Sequence, residues 1–309
     1  MSYFAKEFIE TAEGLLFAVV ANGIENDKVL CFLRYVRENN TLKKHDTDAA
    51  NQLLKNQFTD YLYFSPHLQA KLHAVPLEKI VKHYKPQQRL SDILHVEPEN
   101  PVQQDCVELC RLFESKSIDL STMGVTGSLL VGAENSGSDI DLVCYDKTVF
   151  HQCRSAMRKL ITEKSLRQLL KKDWQDSFKR RACELKFDDY VWHEKRKFNK
   201  ALINGRKFDL SLLNPHEDNE HEQYKKCGTT TVQAQVSDDS GAFDYPAEYK
   251  IHGCEIKSVV SFTATYIGQA KTGELIEARG QIEENQHGVK RLVIGSNREA
   301  KNEYIRVFG

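Results

Sequence analysis

Two short stretches of the sequence alternate between acidic and apolar residues, and this alternation constrains the fold more than any other feature. Residues 139–142 have the sequence Asp-Ile-Asp-Leu, and residues 208–212 have the sequence Phe-Asp-Leu-Ser-Leu. In a β-strand, side chains two residues apart point to the same face of the sheet. The pattern therefore predicts two strands that bury their apolar residues and present Asp139, Asp141 and Asp209 on the opposite face.

Carboxylates held this close together repel each other, so such a group usually needs a cation beside it. Oxygen ligands of this type suit Mg²⁺ or Mn²⁺. If Asp209 lies on a strand next to Asp139 and Asp141, the three acids can hold two divalent ions, which activate an attacking oxygen and stabilise a leaving pyrophosphate. The alternative is structural: Asp139 caps a turn, Asp141 is a surface residue, and Asp209 pairs with Lys207 on a solvated face.

A glycine-serine pair precedes the first acidic stretch. Ten residues separate the pair Gly127-Ser128 from Asp139. A glycine at a helix start lets backbone N–H groups approach a triphosphate without a Cβ in the way, and the serine hydroxyl adds another donor. A phosphate contact, a set of metal-binding carboxylates and a basic flank together indicate phosphoryl or nucleotidyl transfer.

These residues resemble the signature of the DNA polymerase β-like nucleotidyltransferase superfamily, over about a third of the chain, residues 102–214. The whole layout is also similar to predicted nucleotidyltransferases common in archaea. The resemblance implies that Asp139 and Asp141 bind both metals, and that Asp209 binds the catalytic metal and helps deprotonate the attacking hydroxyl. It further implies that Gly127 and Ser128 hold the triphosphate of an NTP substrate.

The net charge of -1 conceals an uneven distribution of charge. Residues 147–207 contain 18 basic and 7 acidic side chains, whereas the segments on both sides are acidic. Such a block suits a polyanion, and the alternative is a solvated helix face. We assign Lys197 and Lys200, within this block, to nucleotide binding from their charge and position. The block favours a nucleic-acid end as the acceptor over a protein side chain.

The predicted fold class is α/β (α+β), in three modules. An N-terminal α+β accessory module spans 1–97, a nucleotidyltransferase domain with a central mixed sheet spans 98–216, and a β-rich module spans 217–309. Within the first module, 14–37 predicts an antiparallel hairpin and 62–85 is expected to be helical in part. The last module predicts an antiparallel sheet or a barrel of the oligonucleotide-binding type.

The remaining composition indicates a cytoplasmic protein. No run of about 18 apolar residues is present, so no membrane helix is expected. The start of the chain does not resemble a signal peptide, and eight scattered cysteines fit reduced thiols.

The sequence therefore predicts a Mg²⁺- or Mn²⁺-dependent nucleotidyltransferase that transfers an NMP from an NTP to a hydroxyl and releases pyrophosphate. Two alternatives stay open: a non-catalytic nucleotide- or nucleic-acid-binding module on the same fold, and a metal-dependent phosphohydrolase.

Overall fold

The computed structural model describes residues 2–39, 41–66, 68, 70–213, 224–295 and 302–308. Within these residues the chain forms seven α-helices and three β-sheets, a mixed α+β fold. No helix in this part of the chain is long and apolar enough to cross a membrane. All eight cysteines are free thiols, as the sequence predicts.

The chain groups into two compact units. The first contains Met1–Cys153 and Ile203–His221, and the second contains Arg154–Leu202 and Glu222–Gly309. The module limit predicted at 216 lies outside the described residues, and the division into three modules stays a prediction. Each of the three sheets nevertheless lies within one of the three predicted modules.

The first sheet has the strand order β5-β6-β3-β2-β1-β7, with β4 paired to β3. Helix α1 (Thr47–Gln57) begins after Asp46, which caps it. The strands are β1 (Phe8–Thr11), β2 (Leu15–Val19), β3 (Lys28–Glu38), β4 (Thr41–Lys44), β5 (Leu62–Ser65), β6 (Ala70–Pro76) and β7 (Ile80–Tyr84).

The predicted hairpin is confirmed, because β2 and β3 pair antiparallel. The prediction of partial helix over 62–85 is wrong: apart from a short 3-10 turn, its described residues form strands β5, β6 and β7. The pairing of β6 with β3 and of β7 with β1 decides the conformation here, and local residue spacing could not reveal it.

The two acidic stretches form neighbouring strands of the second sheet. Strand β9 lies between β8 and β11, antiparallel to β8 and parallel to β11. The apolar residues of β9 and β11 are buried, as their alternation predicts. The elements in this part of the chain are α2 (Pro86–His95), α3 (Pro101–Glu114), β8 (Met123–Thr126), α4 (Gly127–Val131), β9 (Ile140–Cys144), α5 (Lys147–Thr162) and β11 (Arg206–Leu212).

The third sheet belongs to the second unit and closes on itself. Strand β12 pairs with both β13 and β15, so five strands form a ring in the order β12-β13-β14-β16-β15, and β17 pairs with β15. Five strands are typical of the oligonucleotide-binding type of barrel. Its strands are β12 (Tyr224–Asp238), β13 (Ala247–His252), β14 (Ile256–Ser261), β15 (Leu275–Asn285), β16 (Lys290–Ile294) and β17 (Tyr304–Phe308). The elements before them are α6 (Lys171–Arg181), α7 (Phe187–Lys197) and β10 (Lys200–Ile203), and β10 pairs with β11 at the edge of the second sheet.

Candidate functional site

Two of the three predicted carboxylates lie side by side on adjacent strands. Asp209 on β11 is the direct register partner of Asp141 on β9, and Asp141 is also the partner of Thr126 at the end of β8. Directly paired residues project their side chains from the same face of a sheet. The structure therefore places Thr126, Asp141 and Asp209 in one row across three strands.

The third carboxylate, Asp139, lies just before β9 and faces a lysine. Lys207 Nζ is 3.7 Å from Asp139 Oδ1, and the two side chains are 32% and 39% exposed. An ion pair this exposed contributes little stability. The ion pair that the sequence suggested for Lys207 and Asp209 is thus formed with Asp139 instead.

The environment of Asp141 opposes ionisation. Burial raises the pKa of this carboxyl to about 7, and the negative charges of Asp209 and Asp139 add to the effect. Lys6 and Lys44 act in the opposite direction. A carboxylate that is desolvated beside a second carboxylate is stabilised by a cation bound between or beside them.

Gly127 packs directly against Asp141. Its φ of +67° lies in the left-handed region, and a Cβ at this position would fall far inside van der Waals contact with Oδ2 of Asp141. Glycine avoids both the strain of a left-handed backbone and the close contact between a Cβ and the carboxylate. Ser128 follows in the first turn of α4, so both predicted phosphate-binding residues lie beside the carboxylate row.

The first sheet also packs against this region. Leu130 and Val131 of α4 form a buried cluster with Phe8, Leu16 and Tyr35 of strands β1, β2 and β3. The pKa of Tyr35 is raised, chiefly by burial and to a smaller extent by the charge of Asp141. The N-terminal sheet, to which the sequence assigned no role, is thus part of the surroundings of the carboxylates.

Lys6 is a site residue that the sequence did not reveal. Its Nζ donates a hydrogen bond of 2.7 Å to Ser211 Oγ, two residues beyond Asp209 on β11. Its carbonyl oxygen accepts a hydrogen bond of 2.6 Å from Thr126 Oγ1. Only the long-range packing of the N-terminal segment on the second sheet creates these contacts, and no local motif around residue 6 signals them.

Lys197 and Lys200 have protein partners inside the second unit. Both ammonium groups bind the carboxylate of Glu194, and Lys197 Nζ also donates to Thr265 O at 2.8 Å. Lys197 is only 2% exposed, and burial lowers its pKa to about 8. Burial opposes ionisation of Glu194, but the two lysines outweigh it and hold the pKa of Glu194 at about 2. The predicted nucleotide-binding role of these lysines stays a prediction.

The donor chemistry of the carboxylate pair fits a magnesium-type ion. Among the described residues, no group of three or more His, Cys, Asp and Glu side chains is arranged to hold a metal ion. Nucleotide sites, however, bind Mg²⁺ through one or two carboxylates together with substrate phosphates and water. Asp141 and Asp209 provide such a pair, and a cation bound beside them would offset the desolvation and repulsion that raise the pKa of Asp141.

No family model matches the sequence, and no solved structure matches it. The chain is similar to an uncharacterized protein of Methanocaldococcus jannaschii, MJ1086, with 34% identity over 334 residues. The similarity covers 98% of this chain and 98% of the archaeal protein. Identity at this level over nearly the full length of both proteins shows common descent, so the chain belongs to the family of MJ1086.

Proposed function

We propose that this protein is a divalent-cation-dependent nucleotidyltransferase. It transfers an NMP from an NTP to a hydroxyl acceptor, releases pyrophosphate, and has its central sheet arranged as in the DNA polymerase β-like superfamily. The observation that carries the proposal is the direct pairing of Asp141 with Asp209 on adjacent parallel strands, with Gly127 in contact with the first carboxylate.

In this proposal each residue has a defined task. Asp141 and Asp209 hold divalent cations, and Asp139 joins them from its position beside Lys207. The bound cations would supply Lewis acidity to the phosphoryl oxygens and charge to the leaving pyrophosphate. Asp209 also accepts the proton of the attacking hydroxyl, whereas Gly127 leaves room for Asp141 and the substrate phosphates.

The surface charge of the second unit favours a nucleic acid as the acceptor. Its residues 154–202 include many exposed basic side chains, and such a surface attracts the phosphate backbone. Among the described residues of this stretch, the exposed lysines and arginines are Arg158, Lys159, Lys164, Arg167, Lys171, Lys172, Lys179, Arg180, Arg181, Lys186 and Lys195.

The proposal is tested by incubating the protein with each α-labelled NTP, Mg²⁺ or Mn²⁺, and mixed RNA and protein acceptors. We expect label to appear on an acceptor, and we expect Asp141→Asn and Asp209→Asn to abolish transfer. Asp176→Asn is the matched control, because this carboxylate is exposed on α6.

Each other outcome supports a different function. Release of inorganic phosphate without pyrophosphate would identify a phosphohydrolase. Nucleotide or RNA binding without turnover would identify a binding module. Transfer that persists in Asp209→Asn would exclude a mechanism that depends on three carboxylates.

A further inference from the structure

Lys6 is held in an unfavourable backbone conformation by contacts at both ends of the residue. Its φ is +71°, in the left-handed region, where a non-glycine residue costs about 1–2 kcal/mol. Its backbone N–H donates to Val19 O at 2.9 Å, and its carbonyl oxygen accepts from Thr126 Oγ1. Lys6 is the third residue of a turn that the hydrogen bond from the Glu7 N–H to the Phe4 carbonyl closes at 3.2 Å, and these contacts fix the direction of its side chain.

These contacts direct the Lys6 side chain across the face that carries the carboxylates. Ser211 lies two residues beyond Asp209 on β11, so both side chains leave the same face of the sheet. Because Lys6 Nζ donates a hydrogen bond of 2.7 Å to Ser211 Oγ, its ammonium group lies on the face of the sheet that carries Asp209 and its register partner Asp141. The N-terminal segment thus brings a positive charge to the proposed site.

Lys44 brings a second positive charge from the same sheet. It lies at the end of β4, pairs in register with Tyr35 on β3, and is exposed. Residues paired in register share a face of the sheet, so the Lys44 side chain leaves β4 on the face of Tyr35, which packs against Leu130 and Val131 of α4. Lys44 thus brings a second ammonium group to the surroundings of the carboxylates.

The ammonium group of Lys6 keeps hydrogen-bonding capacity for a ligand. An ammonium has three N–H donors, and Ser211 Oγ accepts one of them. Among the described residues, no carboxylate lies within ion-pair distance of Lys6, whereas Lys207 has Asp139 at 3.7 Å. A charged donor beside a metal-binding carboxylate pair suits the phosphate oxygens of a nucleotide.

We propose that Lys6 is a substrate-binding residue whose ammonium group, assisted by that of Lys44, binds phosphate oxygens of the nucleoside triphosphate. This inference rests on the proposed nucleotidyltransferase function. In this proposal the N-terminal part of the chain lines the active site, because it supplies the lysine ammonium groups that bind the substrate phosphates.

The test uses Lys6→Met, which keeps most of the apolar stem and removes the charge. A charge-assisted hydrogen bond that is present in both the ground state and the transition state affects KM and leaves kcat nearly unchanged. We expect KM for the NTP to rise about 10- to 100-fold, with kcat within about threefold. Lys6→Arg should restore most of the affinity, whereas a merely structural lysine would not produce this division between KM and kcat.

Two further variants keep the test decisive if Lys6→Met folds poorly. Lys44→Met changes an exposed side chain, so the fold should persist, and KM should rise about 3- to 10-fold. Lys43→Met is the matched control, because the neighbouring lysine points to the other face of β4 and pairs with Glu38. Its KM should equal that of the wild type.

Binding is also measured without turnover, by calorimetry with the NTP and with inorganic tripolyphosphate in Mn²⁺ and in the absence of an acceptor. Weaker binding of both ligands after Lys6→Met supports the inference. If the wild type transfers nucleotide and Lys6→Met and Lys44→Met leave both KM and binding unchanged, the inference is refuted and the proposed function stands. If the wild type neither binds an NTP nor transfers from it, the proposed function fails and the inference with it.

Discussion

Replacing Asp141 by asparagine should stabilise the metal-free protein above neutral pH while it abolishes nucleotide transfer. The carboxyl of Asp141 has a pKa of about 7 against an ordinary value of 3.8, because it is desolvated and lies beside the negative charges of Asp209 and Asp139. Asparagine has nearly the same shape and carries no charge. The substitution therefore removes an electrostatic penalty from the native state and also removes the proposed metal ligand.

The size of the effect follows from the shift in pKa. The difference between a pKa of 3.8 in the unfolded chain and about 7 in the native state lowers the free energy of unfolding by about 4 kcal/mol once Asp141 is ionised. Because the pKa is raised in the folded protein, this loss is absent below pH 4, where the carboxyl is neutral in both states. It grows as the pH rises from about 4 to 7 and is complete above pH 7. The advantage of Asp141→Asn should follow the same course.

The measurement is chemical unfolding of both proteins in EDTA, at intervals from pH 4 to pH 8.5. We expect equal free energies of unfolding at pH 4 and a difference approaching 4 kcal/mol, in favour of the variant, at pH 8. Mn²⁺ at about 100 times its Kd should then raise the stability of the wild type alone, by about 2.7 kcal/mol.

Asp139→Asn is the matched control for Asp141→Asn, and the stability of Asp141→Asn itself can refute the prediction. Asp139→Asn alters a side chain that is 39% exposed and paired with Lys207, so its effect should stay within about 1 kcal/mol at every pH. If Asp141→Asn is no more stable than the wild type at pH 8, or if its effect does not depend on pH, Asp141 is an ordinary solvated residue.

Two further substitutions test the packing of the chain. Gly127→Ala should destabilise the protein by at least about 2 kcal/mol and abolish transfer, because it adds left-handed strain and a clash with the carboxylate. In an Asp141→Ala background, thermal unfolding should show a smaller loss of stability from Gly127→Ala. An equal loss in the two backgrounds would exclude the clash. Glu194→Gln should lower the free energy of unfolding by about 3–5 kcal/mol, since it leaves Lys197 buried without a counter-charge. The control is Lys195→Gln on the same helix, whose side chain is exposed, and it should change the free energy of unfolding by less than about 0.5 kcal/mol.

The strands of the carboxylate row could be predicted because the relevant information is local. Alternation of acidic and apolar residues determines which side chains share a face of the strand. Burial of the apolar face then determines that the acidic residues lie on the other face. The sequence predicted that the two strands are neighbours. It did not predict the strand register that places Asp209 directly opposite Asp141. The same locality explains the confirmed hairpin of β2 and β3.

Features that depend on distant contacts could not be predicted. The strands within 62–85 owe their conformation to pairing with β3 and β1. Lys6 acquires its contacts from a residue 205 positions away. Charge counting drew attention to Lys197, whose ammonium group is buried against Glu194, since composition shows the sign of a residue's charge and not whether that charge is already paired.

Three locally unfavourable features meet at the end of β8, and together they favour a functional site over a solvated surface. Asp141 has its pKa raised beside Asp209, Lys6 has a left-handed backbone, and Gly127 allows the carboxylate a closer approach than a residue with a Cβ would. Each feature costs stability by itself, and a solvated strand would need none of them. Left-handed residues such as Asn26 and Ala182 also occur at a turn and a helix end away from this point, so the coincidence of all three features is what supports the proposed binding of a charged ligand. Divalent cations and substrate phosphates are such ligands, because they supply positive charge to Asp141 and negative charge to Lys6.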